Sequence, residues 1–180
     1  MRVLYRQVLI IHLINLLLIF SLIQSANASW QLYRVAEFNI EFLALSPPHE
    51  QRVDAPDVLK VIWHIGFMDD GTNGAIDATR LKDGSLRFFS VTEQANNIRK
   101  GMEKSKKSKI VSQKNILVNG VPAVEFRITS TSSRGTIWYG VMRALVIEDT
   151  IYSVIITCPN EERTNETDIV MYLNSLKRYR

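Results

Sequence analysis

Val118-Asn119-Gly120-Val121-Pro122-Ala123-Val124-Glu125-Phe126 is the stretch that decides the fold. Asn and Gly both tolerate positive φ, so Asn119-Gly120 predicts a two-residue type I′ hairpin joining residues 109–118 to residues 121–130. In the second strand Val124, Phe126 and Ile128 alternate with Glu125, Arg127 and Thr129, the period of a strand with two unlike faces. Residues 136–147 follow and are apolar at both parities, with Trp138 and Met142 opposite Tyr139 and Val141. That composition predicts a central strand covered on both sides. Glu148-Asp149 turns the chain into residues 151–158, where Tyr152, Val154, Ile156 and Cys158 share a face, and Pro159 stops it. Four strands joined by short turns make an antiparallel meander.

Toward the N-terminus, Glu37-Phe38-Asn39-Ile40-Glu41-Phe42 alternates strictly and predicts one strand, closed by Ser46-Pro47-Pro48. Residues 49–57 are polar, carry Pro56 and predict a loop. Residues 61–67 form a second strand with Val61, Trp63, Ile65 and Phe67 on one side. Asp70-Gly71-Thr72-Asn73-Gly74 is dense turn chemistry, and residues 75–81 are a weaker strand ended by Asp83-Gly84. The period then changes. Ser90-Val91-Thr92-Glu93 is a capping box, and Val91, Ala95, Ile98 and Met102 fall on one helical face that ends near residues 101–105. A last helix is predicted from a cap at Asn165, with Ile169, Tyr172, Leu173 and Leu176 inward. Lys177, Arg178 and Arg180 would follow at the negative end of its dipole. The whole is an α+β single domain, an antiparallel β-sheet packed with α-helices.

Residues 1–28 speak to location. Arg2 and Arg6 form a basic start, residues 8–23 are largely apolar, and Ser25-Ala26-Asn27-Ala28 offers an Ala-x-Ala cut site. This is the layout of a signal peptide. The apolar run is broken by His12 and Asn15 and falls short of the roughly 20 residues of a spanning helix. Cleavage after Ala28 leaves residues 29–180 as the mature domain of a secreted, periplasmic protein. The net charge drops from +4 to +2 as Arg2 and Arg6 leave. So mild an excess, in a secreted chain, argues against nucleic acid as a partner. The single cysteine, Cys158, can form no internal disulfide.

The order of these elements resembles the PsbP-like fold family. That family includes the extrinsic P protein of photosystem II, a Ran-binding nuclear import factor and many secreted bacterial proteins of unknown role. The residues that carry the resemblance are the 37–42 strand ending at Pro47 and the Gly120-x-Pro122-x-x-Glu125 hairpin. The Ile151-Tyr152 strand start and the closing Tyr172-Leu173-Asn174-Ser175-Leu176 helix complete it. The resemblance implies a binding or accessory module, not an enzyme, and it brings no catalytic residue and no cofactor.

Individual residues offer few alternatives. Asp69 to Gly74 has the Asn73 and Gly74 of a calcium loop, but Gly71 and Arg80 stand where ligands belong, so an exposed turn is the better reading. His49 and His64 lack a second His or Cys at ligand spacing, and no metal site is expected. A Cys158–His64 nucleophile pair is weighed against a buried, inert thiol, and the latter is favoured by the apolar face that Cys158 shares. Asn165-Glu166-Thr167 matches a glycosylation acceptor but is read as the helix start. Arg99, Lys100, Lys104, Lys106, Lys107 and Lys109 stand against one acid, Glu103. They are the candidate contact for a protein partner in the cell envelope, with an anionic membrane surface or a merely solvated helix end as the other readings. A carrier of a small apolar ligand, with Trp63, Phe126, Trp138 and Tyr139 lining a pocket between sheet and helix, is the alternative function.

Overall fold

The computed structural model describes residues 30–66, 71–84, 90–104 and 108–179, without the side chain of Glu103. The hairpin at its centre forms as the sequence predicts. Strand β6 (Ser108–Val118) and strand β7 (Val121–Thr131) meet at the pair Val118–Val121. The turn between them holds Asn119 at φ 49° and Gly120 at φ 81°. β8 (Ile137–Ile147) and β9 (Thr150–Cys158) complete the meander. Glu148, also at positive φ (57°), makes the β8–β9 turn. With β3 (His49–Asp54), β4 (Val58–Gly66) and β5 (Asn73–Leu81) they build a seven-stranded antiparallel sheet, in the order β3-β4-β5-β9-β8-β7-β6.

Two N-terminal expectations need correcting. Residues 37–42 are not one strand. β1 (Gln31–Val35) leads into a 3₁₀ turn at Ala36–Phe38, and β2 (Ile40–Ala44) returns antiparallel to β1. Asn39 in the left-handed conformation (φ 49°) makes the reversal, a role its short polar side chain suits. Phe38, Ile40 and Phe42 are nevertheless all buried, so the alternation reports burial correctly and conformation wrongly. The polar loop expected at residues 49–57 is largely the edge strand β3. All six of its side chains are exposed, which is how a charged edge strand looks in sequence.

The C-terminus departs as well. Asn165 ends a 3₁₀ turn (Glu162–Asn165) and accepts a hydrogen bond from Arg127, so it does not cap the helix. The last helix, Thr167–Leu173, starts after Glu166 with no side-chain cap. Arg163 ties its first turn together by pairing with Glu166 and Asp168, each at 2.6 Å. Lys177 and Arg178 do not complement a helix dipole. They form β10, which pairs with β2, and they bond Glu41 and Glu148. Arg180, Phe67, Asp69 and Asp70 lie outside the described residues, as does the segment 1–28 read as a leader.

Burial explains the layering. The helix α1 (Val91–Glu103) begins at the predicted capping box: Ser90 accepts from the Glu93 N–H, and Glu93 accepts from the Ser90 N–H. It lays Ala95, Val91, Ile98 and Met102 on one face of the sheet, over Val124, Phe126, Met142 and Ala144. The opposite face carries the larger core. There Val61, Trp63, Ile65, Ile76, Val141, Leu145, Tyr152, Val154 and Ile156 meet Phe38, Ile40 and Phe42 of the small β1-β2-β10 sheet, together with Ile169, Tyr172 and Leu173 of α2 (Thr167–Leu173). β8 thus lies under cover on both sides, with every residue from Gly140 to Leu145 buried.

Candidate interaction site

Four exposed basic residues stand at the end of α1 and the start of β6. Arg99, Lys100, Lys104 and Lys109 are all exposed. Arg99 donates to Asn96 Oδ1 at 2.8 Å, within its own helix. Lys100, Lys104 and Lys109 have no ion pair among the described residues. Lys106 and Lys107 lie outside those residues. The contrast with the other cations is informative. Arg34, Arg52, Lys60, Lys114, Arg143, Arg163 and Lys177 each bond a carboxylate at 3.0 Å or less. The fold therefore satisfies most of its positive charge internally and leaves this group facing water.

Other candidates come apart in three dimensions. Cys158 is fully buried on the face of β9 that looks toward the small sheet, whereas His64 is exposed on the opposite face of β4. No thiol–imidazole pair is built. Trp63 and Tyr139 sit on the small-sheet side of the large sheet, Phe126 and Trp138 on the α1 side, so the four aromatics do not line one pocket. An open groove of about 370 Å³ lies instead between the start of α1 and the β6–β7 hairpin, lined by Val91, Asn115, Ile116, Leu117, Pro122 and Ala123. Gly71 and Asn73 belong to a turn closed by the Asn73 side chain on the Gly71 carbonyl at 2.8 Å. Among the described residues no group of three or more His, Cys, Asp or Glu could hold a metal ion, and no helix is long and apolar enough to cross a membrane.

Two arrangements escaped the sequence reading. Glu125 is buried in the larger core and receives Lys114 and Arg143, each at 2.9 Å. Burial pushes its carboxyl up, but the bonds from Lys114 and Arg143 outweigh this and hold it below the ordinary value. Arg143 continues to Asn174 Oδ1 at 2.6 Å, at the C-terminus of α2. Asn119 closes the circuit by donating to the carbonyls of Asn174 and Leu176, at 2.7 and 2.9 Å. The second arrangement is a histidine pair. With residues 49–54 paired as β3, His49 stands directly opposite His64, and their ring centroids are 6.1 Å apart. Only recognition of β3 as a strand could have brought them together.

No protein-family model matches the chain, and no curated protein matches it. Solved structures do. One is cyanobacterial PsbP (CyanoP) from Synechocystis sp. PCC 6803, with a TM-score of 0.58 and 13% identity over 84% of this chain and 94% of that one. Another is PA94 from Pseudomonas aeruginosa, a protein of unknown function described as a putative regulator, with a TM-score of 0.51 and 13% identity over 84% of this chain and 98% of that one. The architecture is the PsbP-like α+β fold.

Proposed function

We propose that this chain is a secreted, periplasmic accessory protein that binds another protein of the cell envelope and performs no catalysis. The observation that carries the reading is the group Arg99, Lys100, Lys104 and Lys109, exposed and unmatched by any described carboxylate while most other cations are paired. Lys106 and Lys107, between them in sequence, belong to the same proposed contact. An acidic protein surface complements such a group and would be steered toward it. The PsbP-like fold supports a binding role in general and names no ligand or partner.

Location rests on the leader. Cleavage after Ala28 would leave every described element intact, and Trp30, two residues later, is stacked on Tyr172 with ring centroids 6.2 Å apart. The N-terminus of protein recovered from the envelope is expected at Ser29. Sequencing that finds Met1 in membrane-bound material would mean an anchor. Binding is tested by crosslinked capture from the native envelope with the wild type and with Lys100, Lys104 and Lys109 all changed to Glu. A partner captured by the wild type and lost from the variant supports the reading. Equal capture returns the lysines to the role of a solvated helix end.

A further inference from the structure

His49 and His64 are the only described histidines, and the fold places them on the same face of one sheet, opposite each other in the β3–β4 ladder. Both are exposed, and the rings are 6.1 Å apart between centroids and tilted by 42°. Directly opposed cross-strand residues have Cβ atoms about 4.5–5.5 Å apart. A shared ion at roughly 2.0–2.1 Å from each nitrogen needs the two nitrogens roughly 3–3.5 Å apart. Both side chains face water, so they can turn to close the difference without disturbing the core.

The surroundings select the ligand. His64 Nε2 lies 3.4 Å from Gln51 Oε1, a long contact that coordination could replace at little cost. Ala75 stands across from His64 on β5. Asp77, two residues from Ala75 on the same face of β5, is taken by Lys60 at 2.7 Å. Glu50 faces the other way and accepts the Trp63 indole N–H at 3.0 Å. Among the described residues the donors are therefore two imidazoles and one amide oxygen, without thiolate or free carboxylate. That set suits borderline transition metals and is poor for calcium or magnesium, which demand oxygen cages.

We propose that His49 and His64 form a two-imidazole chelate for an exchangeable divalent transition-metal ion, bound most tightly as copper(II). Closed four-ligand sites are the mark of structural metals; two protein ligands with the remaining positions open to water make a site for uptake and release. The Irving–Williams order places copper(II) above nickel(II) and zinc(II) on such donors. Because both side chains are exposed, the apo fold does not depend on the pair.

The test is calorimetric titration of the untagged full-length protein with copper(II), zinc(II) and calcium chloride, beside His49→Asn, His64→Asn and His12→Asn variants. The expected result is one copper(II) site, weaker zinc(II) binding and no calcium response. Loss of either partner should weaken copper(II) on the order of 100-fold, the scale on which joining two binding groups acts. His12→Asn should change nothing, and metal-free thermal midpoints should agree across the set. Electron paramagnetic resonance of the copper(II) form should show two equatorial imidazole nitrogens in the wild type and one in each pair variant. Copper(II) affinity unchanged in His64→Asn, or absent from the wild type, would overturn the proposal.

Discussion

At Gly140 a methyl group has nowhere to go. A Cβ there would stand 2.6 Å from Ile128 Cγ1, 2.9 Å from its Cδ1 and 3.2 Å from the carbonyl oxygen of Ile156. Ile128 is packed against the cluster between α1 and the sheet, and the Ile156 backbone is held in the ladder. Gly140→Ala is therefore expected to cost about 1–3 kcal/mol, read as a lower thermal midpoint. An unchanged midpoint would mean the layer over β8 is looser than described. Glu125 makes a second residue-scale prediction. Its folded carboxyl is held below the ordinary value, so its stabilising share is complete above about pH 4.3 and disappears as pH falls through the lower folded value. Glu125→Gln leaves mostly buried Arg143 facing a neutral amide and should cost about 2–3 kcal/mol at pH 7. Urea midpoints should show that gap shrinking toward pH 3, whereas a constant gap would remove the carboxylate from the account. Gly140 was not legible beforehand as a special position, and Glu125 stood out only as the last residue of the Gly120-x-Pro122-x-x-Glu125 hairpin. The burial of Glu125 was not legible, because sequence does not show that Arg143 lies opposite it in the next strand.

Among the elements, the hairpin and α1 were legible because their signals are local. Asn119-Gly120 fixes a turn by backbone sterics alone, and the Ser90–Glu93 box satisfies its own helix end. β1, β3 and β10 were not legible, since their side chains are largely exposed and their pairing is set by what lies next to them in space. The same dependence made Asn165 look like a cap when Arg127, on another strand, claims it. The hairpin also carries more than its turn. Asn119 donates to two carbonyls beyond the end of α2, which fastens the C-terminal segment to the β6–β7 hairpin. Asn119→Gly keeps a residue suited to positive φ and removes only this tie. A loss of about 1–3 kcal/mol is expected, two ordinary hydrogen bonds' worth. Hydrogen exchange should accelerate at the backbone amides near Ser175 and Tyr179, which bond Tyr172 and Asn39. Unaltered exchange there would mean the segment is held by Leu176 and β10 without Asn119.

Across the whole molecule, the α+β class and the meander came through in the sequence because apolar period and turn chemistry dominate them. The candidate site came through as composition only: a run rich in lysine was visible, but the absence of ion pairs at Lys100, Lys104 and Lys109 among the described residues is a property of the fold. Most of the other described cations are paired within the domain, from the buried Glu125 cluster to the Arg52–Glu37 pair at 2.7 Å on the edge. That division is the ground for the contact proposed at the end of α1. The direct measurement is the affinity of the captured partner for the wild type and for the Lys100→Glu, Lys104→Glu, Lys109→Glu variant, taken across ionic strength from about 0.05 to 0.5 M, where the screening length for exposed charges falls below about 10 Å. Wild-type binding is expected to weaken steeply with salt, variant binding to be weaker by at least about tenfold at low salt and nearly flat with salt, and the thermal midpoints of the two proteins to be equal. Salt curves that superimpose would contradict this expectation and move the contact away from the lysines.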